Sequence, residues 1–177
     1  MASYGVLLVK GVDNMSQSNT MDSMEQIVDK YADMVYRIAF THMKNKTDAD
    51  DIFQEVFLKL CKAKVDFDSD EHIKAWLIRV TINTCKSTFA SPWKKKMAEM
   101  PEEIGSYEDK LEDFEVSDAV RALPPKYRDA IHLFYFEDMK IAEIAQILNS
   151  TVSTVKSQLS RGRSILREKL EGGVYNV

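Results

Sequence analysis

The chain contains only two cysteines, Cys61 and Cys85, and each falls within a helical pattern. A small secreted protein held together by disulfides would use more cysteines than this. Neither cysteine is spaced from the three histidines as a metal-binding motif requires. The sequence therefore predicts reduced, partly buried thiols in a cytoplasmic protein that uses neither a metal nor another cofactor.

Glycine and proline are also scarce, with six and four residues among 177. A mainly β protein needs many turns, so this shortage argues against a sheet. Hydrophobic residues make up 45% of the chain, which is enough for a packed core. Together these features predict an all-α protein with one domain or two small ones.

Long apolar runs are missing as well. The longest one near the start, residues 6–9, is far too short to cross a bilayer, and no basic segment precedes it as in a signal peptide. We expect no membrane insertion, a disordered leader over residues 1–21 and a short tail over residues 172–177. Met1, Met15 and Met21 remain alternative start positions.

The net charge of −4 hides an alternation along the chain. Residues 71–97 carry six basic and one acidic side chain, and residues 151–171 carry five basic and two acidic side chains. Between them, residues 98–120 carry one basic and nine acidic side chains. Two basic segments separated by an acidic one predict two surfaces that contact polyanions, on a protein that is not a general polyanion binder.

Apolar residues recur at steps of three and four in three segments of the first half of the chain. These patterns predict helices over residues 22–43, 47–62 and 71–89. Thr47-Asp48-Ala49-Asp50 resembles a capping box at the start of the second helix. Pro92 ends the third pattern because proline cannot donate the helical hydrogen bond. The three helices predict a domain over residues 22–96.

The acidic stretch over residues 97–113 lacks steady periodicity and contains Pro101 and Gly105. It predicts a flexible linker that is extended by its own charge repulsion. Periodicity returns over residues 114–171, which predicts a second small helical domain. Its expected helices cover residues 114–123, 124–136, 140–148 and 153–170.

Residues 141–162 have the pattern of a helix, a tight turn and a second helix. The predicted small core between these helices consists of Ile144, Leu148, Val152, Val155 and Leu159. Asn149 stands where the turn requires a left-handed conformation, and Ser153 is the predicted N-cap of the second helix. Such a helix fits the DNA major groove, with these side chains directed outward: Ser153, Thr154, Lys156, Ser157, Ser160, Arg161 and Arg163. An amphipathic hairpin with a solvated basic face is the alternative.

Two other helix faces concentrate polar residues. On the second helix the face consists of Asp51, Gln54, Glu55 and Leu58, which suits docking to a basic helical surface, with a solvated charged face as the alternative. On the third helix the face consists of Arg79, Asn83 and Lys86, followed by Phe89, Trp93 and three lysines. Basic groups beside aromatic rings suit single-stranded DNA. Trp76 is expected in the core, whereas Phe89 and Trp93 could either stack on bases or pack inside.

The sequence suggests no catalytic machinery. His42, His72 and His132 are far apart in the chain, and neither a glycine-rich phosphate loop nor a recognisable triad or zinc motif is present. Acidic residues are numerous, but they fall on helix faces expected to be solvated. We therefore expect a protein that acts by binding and is not an enzyme.

Three blocks of sequence resemble the extracytoplasmic-function (ECF) group of the sigma-70 family. DADDIFQEVFLKL at 48–60 is similar to the family's polymerase-binding helix, and HIKAWLIRVTINTCK at 72–86 is similar to its promoter-melting helix. Residues 123–148 and 154–170 are similar to its C-terminal promoter-reading domain. The resemblance covers roughly residues 24–171. It implies a bacterial transcription initiation factor that attaches to core RNA polymerase and directs it to promoter DNA.

The family implies a role for each polar face. The acidic face would bind the clamp coiled coil of the largest polymerase subunit: Asp51, Gln54, Glu55 and Leu58. The face on the third helix would lie at the minus-ten element, where the strands separate: Arg79, Asn83, Lys86, Phe89 and Trp93. The outward residues of the last helix, Ser153 to Arg163, would contact the minus-thirty-five element. The family also implies that the C-terminal domain meets the polymerase flap and that an anti-sigma factor masks one or both surfaces.

The chain departs from the family pattern at two places. Ser87 and Ala90 stand where an Asp and an Arg usually follow Asn83, which weakens detailed expectations about the minus-ten element. Asn149 and Ser150 replace the usual glycine and aliphatic residue of the turn. Two alternatives remain: a dimeric helix-turn-helix regulator that binds DNA without polymerase, and a protein-interaction module without DNA contact.

Overall fold

A computed structural model describes residues 17–43, 45–63, 65–90 and 114–174, with side chains described for 24–43, 45–63, 65–90 and 116–171. Within these ranges the chain forms seven helices and no strand. The helices are α1 (Gln17–Met43), α2 (Lys46–Lys62), α3 (Asp70–Ala90), α4 (Phe114–Arg121), α5 (Pro125–Tyr135), α6 (Ile141–Ile147) and α7 (Val152–Val174). The all-α prediction is confirmed, whereas the linker predicted at 97–113 lies outside the described residues.

Helices α1, α2 and α3 pack against one another and form the N-terminal bundle. Each helix contributes one apolar stripe, as a period of 3.6 residues requires. The centre of the bundle is built from the following residues, all nearly inaccessible to solvent: Val35, Ile38, Ala39, Ala49, Ile52, Val56, Leu77 and Thr81. Trp76 is half-buried against this core, where its ring meets Phe67 edge-on at 5.8 Å.

Helix α1 begins at Gln17, five residues before the predicted start and inside the segment expected to be disordered. The helix start therefore differs from the predicted one. Extending an existing helix adds one backbone hydrogen bond for each residue that is fixed, so a helix can continue into a polar segment of the sequence. Polarity alone was therefore a poor guide to the boundary.

The start of α2 is set by Asn45, not by the predicted capping box at 47–50. The Asn45 side chain accepts a hydrogen bond from the backbone N–H of Asp48 at 2.8 Å, and the helix begins at Lys46. The prediction was wrong because it treated Asn45 as a helix breaker, although asparagine is among the best N-cap residues. At α3, Ser69 has the corresponding position, since its hydroxyl accepts from the N–H of His72 at 3.2 Å.

The C-terminal domain consists of α4 to α7, and α7 packs against each of the other three helices. Pro125 occupies the first turn of α5, where a missing N–H costs nothing. The backbone N–H of Lys140 donates to the Glu143 carboxylate at 3.0 Å, which fixes the start of α6. Three short helices thus hold one long helix at a defined orientation.

Gly162 lets α7 approach α5 closely. A Cβ atom at this position would lie 2.8 Å from Cγ1 of Ile131, which is buried. We expect Gly162→Val to lower the free energy of unfolding of this domain by about 1–3 kcal/mol, the usual cost of overpacking a core. Urea unfolding followed by circular dichroism measures the change. The control is Ser164→Val, on the exposed side of α7, and an equal loss in the control would contradict the packing explanation.

The N-terminal bundle and the C-terminal domain pack directly against each other. Contacts join α1 to α4 and α3 to α6, and the guanidinium of Arg121 lies 4.7 Å from the centre of the Phe40 ring. The sequence predicted two domains joined by a flexible linker and gave no reason to expect that they would touch. This packing governs the surroundings of α3 and of several buried charged residues.

Candidate functional site

Residues 141–174 form a helix-turn-helix, α6 and α7 joined by a tight turn. Asn149 adopts a left-handed conformation with φ of 49°, as predicted. The backbone N–H of Ser150 donates to the carbonyl of Ala145 at 2.8 Å, which is the closing bond of a Schellman motif. The turn is therefore well formed even though Asn149 and Ser150 replace a glycine and an aliphatic residue.

Two details of α7 differ from the prediction. Thr151, not Ser153, caps the helix, because the Thr151 hydroxyl accepts from the backbone N–H of Thr154 at 3.1 Å. Ser153 lies inside the first turn. Val152 is 42% exposed and does not belong to the small core, which Ile144, Val155 and Leu159 form with the partly buried Leu148 packed against them. Starting the helix one residue earlier turns Val152 towards solvent.

The outward side of α7 is exposed at every predicted position, and we call it the basic face: Ser153, Thr154, Lys156, Ser157, Ser160, Arg161 and Arg163. The side chain of Arg161 lies close to Tyr127 of α5 and lowers the pKa of that tyrosine. Arg163 folds back and donates from Nε to the Leu159 carbonyl at 3.2 Å. Arg161 thus has a neighbour on another helix of the same domain.

The acidic face of α2 is exposed at all four predicted positions, Asp51, Gln54, Glu55 and Leu58. Leu58 is 41% accessible and gives this face an apolar edge beside its carboxylates. Glu55 lies 2.7 Å from Lys59 one turn later, in an exposed ion pair that contributes little to stability. The face is available to a partner, with Leu58 as an apolar contact beside the charges.

The face of α3 that carries Arg79, Asn83 and Lys86 borders the C-terminal domain. These residues line a groove of about 410 Å³ together with residues 146–149. Arg79 donates to the backbone carbonyl of Gln146 at 3.2 Å, and Nζ of Lys86 lies 3.2 Å from the Asp129 carboxylate. Phe89 is 48% exposed, so it is not a core residue, whereas Trp93 lies outside the described residues.

Four side chains meet at the boundary between the two halves, and we call them the interdomain cluster: His42, Lys86, Arg128 and Asp129. A guanidinium nitrogen of Arg128 lies 3.1 Å from Nδ1 of His42, and Nε2 of His42 lies 3.2 Å from Asp129. Arginine can only donate, so Nδ1 is the acceptor and the proton of a neutral His42 sits on Nε2, facing Asp129. His42, Arg128 and Asp129 are all buried.

Burial lowers the pKa of His42, and the nearby charge of Arg128 acts in the same direction against the opposing effect of Asp129. Burial alone would raise the pKa of Asp129, but His42 and the Lys86 ammonium outweigh it and the net shift is downward. Both pKa shifts agree with a neutral His42 that lies between Arg128 and an ionised Asp129. The Lys86 ammonium is the cation that pairs with the Asp129 carboxylate. The nearby His132, which is also buried, acts against protonation of His42 as well.

A second set of contacts centres on Glu137, in the loop between α5 and α6. Its buried carboxylate lies 3.2 Å from Arg37 of α1 and 3.4 Å from His132. Its backbone carbonyl accepts a hydrogen bond from Nζ of Lys74 in α3 at 2.8 Å. The next residue, Asp138, has φ of 52° and turns the chain into α6. Both helices of the N-terminal bundle that face this loop therefore bind it.

The lowered pKa of His42 predicts a pH dependence of stability. The unfolded chain takes up a proton as the pH falls through the ordinary value of 6.5, whereas the folded protein resists it. The contribution of a neutral His42 to the free energy of unfolding is therefore complete above pH 6.5 and decreases as the pH falls below 6.5. The contribution of an ionised Asp129 to stability is lost only as the pH falls below 3.8, the ordinary pKa of this carboxyl group.

We expect the urea midpoint to be lower at pH 5.5 than at pH 7.5, and the difference to be smaller in His42→Gln. Glutamine keeps a donor and an acceptor but does not titrate. Comparing the two pH values within each protein removes any overall loss of stability caused by the substitution. An equal decrease in wild type and variant would exclude His42 as the group responsible.

Comparison with known proteins assigns both halves of the chain to one family. The family model of Sigma-70 region 2 matches residues 27–94, and that of Sigma-70 region 4 matches residues 113–166. The ECF RNA polymerase sigma factor SigW of Bacillus subtilis is 30% identical over 185 residues, which cover 93% of this chain and 97% of SigW. The chain belongs to the ECF group of the sigma-70 family.

Two further comparisons agree, the first on the family and the second on the fold. The RNA polymerase sigma factor SigV of Bacillus subtilis is 33% identical over 140 residues, which cover 76% of this chain and 83% of SigV. The sigma factor RpoE of Bartonella quintana, solved with the anti-sigma factor NepR, shares the fold with a TM-score of 0.71 at 20% identity. That match covers 85% of this chain and 98% of RpoE.

The described part of this sigma factor contains no cluster of histidine, cysteine and acidic residues that could hold a metal ion. Among the described helices, none combines the length and apolar character needed to cross a membrane. Both cysteines are free thiols, but Cys61 is exposed and not partly buried as predicted. Cys85 is fully buried beside the charges of α5, and burial raises its pKa to about 12.

Sequence inspection missed the interdomain cluster and the contacts of Glu137. It treated His42 and His132 as isolated, although each contacts a residue some 90 positions away. The one available signal was a run of polar residues, Arg128, Asp129 and His132, at positions where the pattern of α5 turns inward. Buried polar residues need partners, so this run implied a contact outside its own helix.

Proposed function

We propose that this ECF sigma factor binds core RNA polymerase and directs transcription initiation at promoters with minus-thirty-five and minus-ten elements. The observation that carries the proposal is the coexistence, on one chain, of an exposed acidic face on α2 and an exposed basic face on α7. A dimeric DNA-binding regulator would have no use for the first, and a protein-interaction module would have no use for the second.

The acidic face would bind the clamp coiled coil of the largest polymerase subunit. Asp51, Gln54 and Glu55 offer acceptors to a cationic helical surface, and the exposed Leu58 offers an apolar contact beside them. Charges at the rim steer association, while an apolar group at the centre contributes to affinity. The mixed character of this face suits a reversible attachment.

The basic face would lie in the major groove at the minus-thirty-five element. The first three turns of α7 carry Lys156, Ser157, Ser160 and Arg161 outward, and the start of a recognition helix is the part that reaches base edges. Lysine and arginine contact guanine or phosphate, whereas serine contacts are less selective. The C-terminal domain as a whole would also meet the polymerase flap.

At the minus-ten element, Arg79, Asn83 and Lys86 would contact the separated strand. The exposed Phe89 is suited to stack on a base, and Trp93 is assigned a similar role on sequence alone. Melting costs of order 1.4 kcal/mol per base-pair step through lost stacking, so contacts with the captured bases must offset it. The polymerase supplies the chemistry, and this subunit acts in the cytoplasm without catalysing a reaction.

An anti-sigma factor is the third proposed partner. A protein that shares this fold, the sigma factor RpoE, has been solved in complex with the anti-sigma factor NepR. In this chain the exposed acidic and basic faces are the surfaces that such a partner would mask.

The test combines purified protein with core RNA polymerase and a promoter library. We expect the protein to be retained on core polymerase and to produce transcripts that start at a common promoter sequence. Binding to duplex DNA without polymerase would favour a stand-alone regulator. Retention on polymerase without any promoter-dependent transcript would contradict the proposed function.

A further inference from the structure

Large apolar side chains that are exposed lie mostly on the faces proposed to bind partners. Among the residues whose side chains the structure describes, the exposed ones of this kind are Leu58, Val65, Phe89, Tyr135 and Val152. Leu58 lies on the acidic face, and Phe89 follows the minus-ten residues of α3. Val152 is the first residue of α7, beside the basic face. The proposed function gives Leu58 and Phe89 a role but leaves Val152 without one.

The surroundings of Val152 place it at the end of α7 that would enter the DNA groove. It is 42% exposed and precedes Lys156 by one turn on the same side of the helix. The Thr151 hydroxyl, which caps the helix, accepts from the N–H of Thr154 at 3.1 Å and lies 2.8 Å from the Thr154 hydroxyl. Both hydroxyl groups beside Val152 are thus engaged within the first turn, and Val152 contributes an apolar surface next to them.

An apolar side chain finds one matching group in the major groove. The edges of the four bases present nitrogen, oxygen and amino groups there, and the C5 methyl group of thymine is the one apolar exception. A valine placed on any other base edge or on a phosphate would remove water from polar groups without a hydrogen bond in return. Against a thymine methyl group, both surfaces leave water favourably. The stiff, β-branched side chain also loses little rotamer freedom in such a contact.

We propose that Val152 is a specificity-determining residue that selects thymine in the minus-thirty-five element, through contact of its methyl groups with the C5 methyl group of the base. The inference rests on the proposed function, because it assumes that α7 lies in the major groove of that element. It adds a reading that the basic face lacks, since Lys156 and Arg161 suit guanine or phosphate and the serines discriminate little. The start of α7 would therefore read a T·A pair by its shape and apolar surface.

The test removes the methyl group from the DNA and from the protein in turn. The full-length protein is combined with core polymerase and a promoter selected from the library, and each thymine of the minus-thirty-five element is replaced by deoxyuridine, which lacks only the C5 methyl group. Fluorescence anisotropy measures promoter affinity, and run-off transcription measures promoter use. At one thymine we expect wild type to lose affinity about three- to fivefold, the effect of one buried methyl group. Val152→Ala should bind the thymine promoter more weakly and should be insensitive to the replacement.

Two further variants keep the test decisive. Val65→Ala makes the same change at a valine that is 39% exposed in the loop before α3, and it should keep the full wild-type loss on deoxyuridine. Val152→Thr preserves the shape of the side chain but replaces one methyl group with a hydroxyl, and it should show a smaller loss than wild type. Val152→Thr also decides the question if Val152→Ala fails to fold, which circular dichroism detects.

The outcomes separate this inference from the function on which it rests. An equal loss on deoxyuridine in wild type and Val152→Ala would assign the methyl group to another residue and overturn the inference. Absence of any loss in wild type, or a preferred element made only of G·C pairs, would also overturn it, while promoter-dependent transcription would leave the proposed function intact. No promoter-dependent transcript from any template would overturn the proposed function and this inference with it.

Discussion

Reversing the charge at Asp51 and Glu55 to lysine should abolish retention of the sigma factor on core RNA polymerase. Both side chains are exposed on α2, so the substitution leaves the bundle core untouched. Losing one partner of a charge pair that is buried in an interface costs about 2–5 kcal/mol, and reversal adds repulsion. We expect the affinity for core polymerase to fall at least a hundredfold, as measured by co-purification and by fluorescence anisotropy.

A matched control separates the location of the charge from its amount. Asp66→Lys with Asp68→Lys makes the same change in net charge at two exposed positions of the same bundle, in the loop before α3. Retention on core polymerase should remain near the wild-type level in this control. Normal retention of the α2 variant would refute the assignment of the acidic face to core binding. An equal loss of retention in both proteins would indicate a general effect of net charge.

Replacing Lys156 and Arg161 with alanine should reduce promoter-dependent transcription at least tenfold while core binding stays within about twofold of wild type. Each good contact of a basic side chain with a base is worth about 1–3 kcal/mol of discrimination. Both residues are exposed on the basic face, far from α2 in the chain. Run-off transcription measures the first quantity, and co-purification with core polymerase measures the second.

The control for this second prediction is Arg167→Ala with Lys169→Ala, which removes the same charge from exposed positions further along α7. A contact confined to the start of the helix predicts a much smaller loss of transcription in the control. Similar losses would indicate general attraction to DNA. A loss of core binding in Lys156→Ala with Arg161→Ala would contradict the division of labour between the two faces.

Local features of this chain could be predicted because they depend on short stretches of sequence. The period of the apolar residues placed the helices, and Asn149 marked the left-handed turn, since few other residues tolerate that conformation. The basic face of α7 followed from the same period. Exposure of the acidic face on α2 was predicted in the same way, because residues opposite an apolar stripe must face outward.

The helix ends were less accurate because several neighbouring residues can serve as caps. Asn45 and Thr151 accept the first backbone hydrogen bonds, although Thr47 and Ser153 have suitable side chains as well. Which residue becomes the cap depends on where packing lets the helix begin. That choice involves the surrounding helices and is not encoded in the few residues around the cap.

The packing of the two halves could not be predicted, because its contacts join residues far apart in sequence. Nothing near His42 indicates that it will meet Asp129, and the basic character of Lys86 equally suits a phosphate. A charged side chain on a helix face can bind a nucleic acid or another part of its own chain. Only the folded arrangement distinguishes the two.

The proximity of Arg161 to Tyr127 lowers the pKa of that tyrosine and has a consequence for base preference. If Arg161 contacts DNA as proposed, a tyrosine on α5 forms part of the surroundings of an arginine on α7 that would reach the bases. Grafting α7 alone onto a related scaffold would then transfer the sequence of the recognition helix but not the neighbour of its central arginine. We therefore expect base preference to depend on a pair of helices.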